Sequence, residues 1–218
     1  MHISEGVLSA PVLLTGAGLT AVGTAVGLQK MEYDDIPKMA TLSSVFFVAS
    51  LIHVPLGPSS VHLLLNGICG LLLGWLAFPS ILVGLALQAV LFQFGGLTVL
   101  GVNTLNVAFP AVVMGWIGRQ WLQSEHRAGR MLSVFVCGSM SVLFTAMGVA
   151  VSLTATGHEF WKAAMVVLAA HLPIALIEGI ITVMCLEFLR KVKPELLPLS
   201  GATKAKSAAG IGGLTGVC

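Results

Sequence analysis

The first two residues, Met1 and His2, carry three nitrogen atoms that can bind one metal ion. They are the free amine of Met1, the amide nitrogen of His2 and Nδ1 of the His2 imidazole. Nickel(II) and copper(II) favour square-planar nitrogen sites, whereas magnesium and calcium require oxygen ligands. Because histidine at position 2 is too large for ordinary removal of the initiator methionine, we expect the Met1 amine to be kept. The sequence therefore predicts an N-terminal chelate that needs a fourth nitrogen.

Two other histidines, His53 and His62, are candidates for that fourth nitrogen. We expect His62 to be the ligand and His53 to be an alternate ligand or a residue that supports one. The spacing alone does not decide between them. In the alternative interpretation, both are histidines at a membrane surface that reach towards water.

The composition indicates which kind of protein must position these residues. Of the 218 residues, 56% are hydrophobic and 9% are charged, and the mean hydropathy is +0.97. A soluble domain carries about 25% charged residues, so these charges could not cover a globular surface in water. The basic residues lie beside apolar runs and form no basic stripe, which argues against nucleic acid as a partner. The predicted fold class is an all-α helical bundle in a lipid bilayer.

Charged and Gly/Pro-rich breaks divide the chain into about seven transmembrane helices. The predicted spans are 10–28, 39–56, 61–78, 80–100, 103–122, 131–156 and 161–189. An outer N-terminus leaves only Lys162 outside and places the other Lys and Arg residues on the cytoplasmic side: Lys30, Lys38, Arg119, Arg127, Arg130, Arg190, Lys191, Lys193, Lys204 and Lys206. This asymmetry predicts an outer N-terminus and a cytoplasmic C-terminus in a multi-pass protein of the plasma (inner) membrane.

Gln88, His171 and Glu178 are polar residues within the predicted spans that could take part in the function. Gln88, in the middle of the fourth span, makes either an interhelical hydrogen bond or a contact to a metal ligand. His171 and Glu178 are seven residues apart in the last span and therefore share one helical face. Ionisable groups at membrane depth usually face the bundle interior. We expect this pair either to fix helix packing or to belong to a substrate path or coupling element.

Four segments of the chain resemble the CbiM/NikM family of substrate-specific membrane components of energy-coupling factor (ECF) transporters. They are Met1–Leu8 (MHISEGVL), His53–Gly67 (HVPLGPSSVHLLLNG), Gly95–Asn103 (GGLTVLGVN) and His171–Gly179 (HLPIALIEG). The matches are spread over residues 1–179 in the expected order. The run Pro58–Gly67 resembles the nickel branch of the family more than the cobalt branch.

This resemblance implies a set of site residues. Met1 would give its amine, His2 its amide and imidazole nitrogens, and His62 the fourth nitrogen, so that His62 is favoured over His53. The implied substrate is nickel(II), with cobalt(II) as the alternative. The residues implied to support the ligands are His53, Gln88 and Asn103.

The resemblance also implies a function and partners. The chain would capture nickel(II) from outside and deliver it for ATP-driven uptake, as a transport subunit and not as an enzyme. The implied partners are a transmembrane coupling protein, two ATP-binding subunits and a small accessory membrane protein. Small residues in the second span are candidates for docking the coupling protein, namely Ala40, Ser43 and Ser44.

Two other classes of function stay open from the residues alone. An intramembrane metalloenzyme would need an open coordination position and a nearby base, and Glu5 is the only acid in the N-terminal segment. A purely structural subunit would tolerate any change at Met1 or His2. The predicted organisation is one membrane-embedded unit, residues 1–193, with residues 1–9 folded into the site. Residues 194–218 are predicted to be a flexible cytoplasmic tail or linker.

Overall fold

The computed structural model describes residues 2–51, 53–56, 59–122, 124 and 126–197, and most of these are helical. Of residues 53–56 and 59–61 it describes the backbone alone. The elements are α1 (Ala10–Gln29), α2 (Ile36–Ala49), β1 (His53–Leu56), β2 (Ser59–His62), α3 (Asn66–Leu73), α4 (Ala77–Phe92), α5 (Leu100–Arg119), α6 (Arg127–Thr156) and α7 (Trp161–Val192). The predicted tail, residues 194–218, lies outside the described residues from residue 198 onwards.

Long apolar helices confirm the predicted polytopic helical bundle. Five helical segments of the described chain are long and apolar enough to cross a membrane, namely Ala10–Gln29, Asn66–Phe92, Leu100–Arg119, Arg127–Thr156 and His158–Val192. With 14 residues, α2 is shorter than these segments. The number of seven spans and the orientation therefore remain predictions.

An antiparallel β-hairpin, β1–β2, replaces parts of two predicted helices. The spans 39–56 and 61–78 are wrong here, since α2 ends at Ala49 and the strands place His53 opposite His62. Pro55 has no backbone N–H and disfavours a helical conformation in the residue before it. Apolar residues on both sides of this proline fit a strand as well as a membrane helix, so composition alone does not show the hairpin.

Helix α3 has only eight residues and begins in the interior of the bundle. The Asn66 side chain at its start donates hydrogen bonds to Val107 O (3.1 Å) on α5 and Thr145 Oγ1 (2.9 Å) on α6. Both partners lie well inside their helices. Gly74, with φ +61°, ends α3 and allows the turn into α4.

Helix α4 differs from the predicted fourth span, 80–100, at both ends. It begins at Ala77, because Pro79 falls in the first helical turn, where its missing N–H removes no intrahelical hydrogen bond. It ends at Phe92, and the following Gln93 has a left-handed conformation with φ +57°. The predicted break at Pro79 is thus a helix start.

Two cations meet the carbonyl groups at the C-terminal end of α3. Lys38 Nζ donates to Leu72 O at 2.9 Å, and Arg119 Nε donates to Leu71 O at 2.9 Å. These carbonyls have no intrahelical partner, and cations at this end also complement the helix dipole. We call this part of the bundle, defined by Lys38, Gly74 and Arg119, the basic end.

The closest helix contact in this region joins α3 to α5. A Cβ atom on Gly70 would lie 1.8 Å from Ala111 O, and one on Gly115 would lie 2.2 Å from Gly70 O. These neighbours are backbone atoms, so a side chain could be accommodated only if the helices separated. The two glycines thereby allow α3 to lie directly against α5 in the bundle.

Gly70→Ala is therefore expected to lower the Tm of the detergent-purified protein markedly, by the equivalent of about 3 kcal/mol, at the upper end of overpacking costs. Gly18→Ala on α1 is the matched control, because a Cβ there meets nothing within 4 Å. Equal melting temperatures for the two variants would contradict this account of α3 packing.

Candidate metal centre

The N-terminal segment is held against the start of α5 by its backbone. Asn103 Oδ1 accepts from Ile3 N at 2.9 Å, and Asn103 Nδ2 donates to Ile3 O at 3.2 Å. Glu5 N donates to Gly95 O at 2.9 Å. Ile3 is fully buried, so its side chain is anchored in the core as well. This clamp fixes where residue 2 lies.

A glycine turn between α4 and α5 makes room for the segment. Gly95 has φ +79°, and a Cβ there would lie 2.9 Å from Asn103 Nδ2. A Cβ on Gly96 would lie 2.6 Å from the Glu5 carboxyl carbon. The backbone N–H of Thr98 donates to Glu5 Oε1 at 3.1 Å, and this bond lowers the pKa of Glu5. The Glu5 carboxylate thus binds the loop between α4 and α5, and it lies outside the site.

A chain of hydrogen bonds sets the tautomer of His2. The Ser50 hydroxyl donates to Phe47 O at 2.9 Å and accepts from the side-chain amide of Gln88. This arrangement turns Gln88 Oε1 towards His2 Nε2, 2.5 Å away. An amide oxygen can only accept, so His2 Nε2 carries the proton and Nδ1 carries the lone pair. Nδ1 is the nitrogen that the predicted chelate requires.

The His62 ring lies beside the His2 ring, and its unprotonated nitrogen is buried. The two ring centroids are 4.8 Å apart, and both residues are buried. His62 Nδ1 lies 2.8 Å from Leu63 O, so Nδ1 is protonated and Nε2 is the basic nitrogen. Nε2 is buried and has no hydrogen-bond partner among the described residues. Burial lowers the pKa of His62, which precedes the span beginning at Asn66, to about 4, so the ring is neutral.

Glu178 supports the chain that carries His62. Its carboxylate accepts hydrogen bonds from Leu64 N and from Leu65 N, the latter at 2.9 Å from each oxygen. Leu65 precedes the first residue of α3 and has a left-handed conformation with φ +50°. The carboxylate therefore satisfies amides at the N-terminal end of α3, where the helix dipole also favours negative charge.

His171, one of the predicted pair, has a different environment from Glu178. Its Nδ1 lies 2.6 Å from Val167 O, one turn earlier on α7. Its Nε2 is buried and has no hydrogen-bond partner in the described part of the chain. The structure thus gives Glu178 a role in helix capping, and it leaves one nitrogen of His171 without a structural partner.

The other predicted site residues fall partly outside what the structure describes. Met1 lies outside the described residues, and for His53 only the backbone position, opposite His62, is described. Sequence reasoning missed Ser50, whose hydroxyl orients Gln88, because nothing in its sequence context marks it. It also missed Leu64 and Leu65, whose backbone amides donate to Glu178 and so hold the chain that carries His62.

Side chains alone do not form a metal site in the described chain. No three His, Cys, Asp or Glu side chains come together there in a way that could hold a metal ion. His2 and His62 therefore need additional ligands.

The fold and the paired imidazoles define a multi-pass membrane protein with a candidate transition-metal site. The chain belongs to the CbiM family, described as the cobalt uptake substrate-specific transmembrane region, whose model matches residues 2–196. It is thus a membrane component of cobalt/nickel transport.

Relatives of this chain are named for transport of several metals. A Haemophilus influenzae protein named for metal transport is 40% identical, over 90% of this chain and 97% of its own length. The Methanocorpusculum labreanum protein CbiM 2, named for cobalt transport, is 28% identical, over 98% and 99%. The fused nickel transport protein NikMN of Rhodobacter capsulatus is 34% identical, over 50% of this chain and 33% of its own length.

A solved structure has the same fold. It is the crystal structure of a transition metal transporter, with a TM-score of 0.77 and 26% sequence identity. The match covers 88% of this chain and 93% of the other. The helical arrangement around the candidate site is therefore shared over nearly the whole described chain.

Gln88→Ala is expected to weaken nickel binding 10- to 100-fold, the usual effect of losing a residue that orients a metal-bound histidine. Isothermal titration of the purified protein with nickel chloride would measure it. Asn106→Ala removes a buried amide that bonds Ser152, away from the site, and serves as the control. Equal affinities for both variants would show that Gln88 does not orient a ligand.

Glu178→Ala is expected to destabilise the protein by about 3 kcal/mol, because it leaves two buried N–H groups without acceptors. Glu178→Gln retains one acceptor oxygen and should be affected less. Thermal unfolding in detergent would rank these variants against Glu159→Ala, which changes an exposed carboxylate. A Tm for Glu178→Ala as high as that of the Glu159→Ala protein would contradict the capping role.

Proposed function

We propose that this chain is the substrate-binding component of a nickel(II) uptake system of the ECF type. The observation that carries the proposal is the hydrogen bond from His2 Nε2 to Gln88 Oε1, with the tilted His62 ring 4.8 Å away between ring centroids. This bond leaves His2 Nδ1 as the basic nitrogen, on the side that a chelate with the N-terminal amine and the His2 amide would use.

Four nitrogens then surround the metal. Met1 gives its amine, His2 gives its amide and Nδ1, and His62 gives an imidazole nitrogen. His62 supplies Nε2 as its ring is oriented here, because Nδ1 is held by Leu63 O. His53 stands opposite His62 in the hairpin and is kept as a supporting or alternate ligand, while Asn103 supports the site by clamping Ile3.

Nickel(II) is favoured over cobalt(II) by the donor set. A deprotonated amide and an amine together with two imidazoles give a planar, strong-field set, which suits low-spin nickel(II). Cobalt(II) is the alternative substrate, and it is supported by the description of the family and by the name of the Methanocorpusculum relative. The two metals are therefore compared directly in the experiment below.

Transport, not catalysis, fits this coordination. Four nitrogens in a plane leave no in-plane position for a metal-bound water, and the nearest acid in the N-terminal segment, Glu5, is bonded to Thr98. The energy for uptake would come from two ATP-binding subunits through a membrane coupling protein, with a small accessory membrane protein as a further partner.

On α2, two of the predicted docking residues lie on the outer surface of the bundle. Ala40 and Ser44 are exposed, whereas Ser43 is buried and donates to Ser80 O at 2.7 Å. Ala40 and Ser44 therefore remain candidates for contact with the coupling protein, and Ser43 packs α2 against α4. In this proposal the end of the bundle that carries His2 and His62 faces outwards, and the basic end faces the cytoplasm.

The decisive test adds one alanine before Met1, which moves the free amine away from the site. With the native N-terminus verified by mass spectrometry, we expect one nickel per chain and the yellow absorption of square-planar nickel(II). The extended protein should lose that band and bind at least 100-fold more weakly. Equal binding by both forms would exclude the amine as a ligand. A cobalt affinity above that for nickel would make cobalt(II) the substrate.

A further inference from the structure

We propose that His171 is a second metal-binding position, which together with His62 holds the ion after it leaves the N-terminal chelate. This inference rests on the proposed function, because it concerns the onward path of the same metal. It assigns a role to the one imidazole of α7, which neither helix capping nor the chelate uses.

The chemical state of His171 is that of a metal ligand. The residue is fully buried, and its Nδ1 lies 2.6 Å from Val167 O. A carbonyl oxygen can only accept, so Nδ1 is protonated and the lone pair is on Nε2. Histidine binds metals as a neutral ring whose other nitrogen donates to a carbonyl or carboxylate, and His171 has that arrangement.

His62 repeats the arrangement on the neighbouring segment. Its Nδ1 is held by Leu63 O, and its Nε2, like that of His171, is buried without a hydrogen-bond partner among the described residues. Two such lone pairs in the interior are costly unless a ligand or water satisfies them. Each is therefore available to bind a positive ion.

The hydrogen bonds from Leu64 N and Leu65 N to Glu178 place the imidazole rings of His62 and His171 at a similar depth in the bundle. His62 is two residues before Leu64, which is at most about 7 Å of chain. His171 is seven residues of helix before Glu178, or about 10 Å. β2 packs against α7, the helix that carries His171.

A pair of imidazoles suits a transfer step better than a storage site. It lacks the strong-field amide nitrogen and the chelate rings of the N-terminus, so an ion would bind there more weakly and exchange faster. His171 is ten residues along α7 from Trp161, about 15 Å from that end of the helix. The pair therefore lies on a route from the N-terminal segment into the bundle.

The test uses a background in which the chelate is removed by an alanine before Met1 together with His2→Ala. Copper(II) is added to this protein as the probe, and the modulation from remote ring nitrogens in its pulsed electron paramagnetic resonance spectrum counts the bound imidazoles. We expect two imidazoles. One imidazole or none would overturn the proposal, and this measurement requires no change at His171.

Nickel titrations of the same background identify the residues. We expect residual 1:1 binding that weakens at least 10-fold in His171→Gln and is unchanged in His158→Ala, which alters an exposed histidine before α7. Binding that is lost in His53→Ala but kept in His171→Gln would assign the second ligand to the hairpin and overturn the proposal. No residual binding would show that water alone occupies these nitrogens. Because the native N-terminus is absent throughout, the proposed chelate can fail or hold independently.

Discussion

The buried N-terminal end of α3 is the constraint on which the rest of the site depends. A helix that starts in the interior of a membrane bundle exposes amides that water cannot reach, and each unsatisfied amide is costly. The Glu178 carboxylate meets this need by accepting from Leu64 and Leu65. Because Leu64 lies only two residues after His62, satisfying the helix end also places the histidine. Broken helices with a charged partner at their ends are a known way to build sites at membrane depth.

At the C-terminal end of α3, cations bind the backbone carbonyls, just as the Glu178 carboxylate binds amides at the N-terminal end. Lys38 and Arg119 bond to its last carbonyls, so one short helix lies between a carboxylate and two cations. This arrangement complements the helix dipole over its whole length. Gly70 and Gly115 let α3 lie directly against α5, so the helix is fixed in depth as well as in direction.

Much of the fold could be predicted from the sequence, because twenty-residue apolar runs identify membrane helices whatever their neighbours. The hairpin at 53–62 could not, since short apolar runs around prolines do not distinguish strands from helices. Within the site, His2, His62, Gln88 and Asn103 could be selected from residue type and resemblance. Ser50 and the amides of Leu64 and Leu65 could not, because a hydroxyl or a backbone group has no sequence signal until its partner is known. Whether Met1 completes the site remains a prediction.

The clamp on the N-terminal segment also has a consequence for the order in which the protein is made. Gln88 is synthesised 86 residues after its partner His2, and Asn103 follows Ile3 by 100 residues. At about 5–20 residues per second, synthesis of that stretch takes on the order of ten seconds. During this interval His2 and Ile3 lack the partners that hold them in the folded protein. Assembly of the clamp and of the His2–Gln88 contact is therefore a late step of biogenesis.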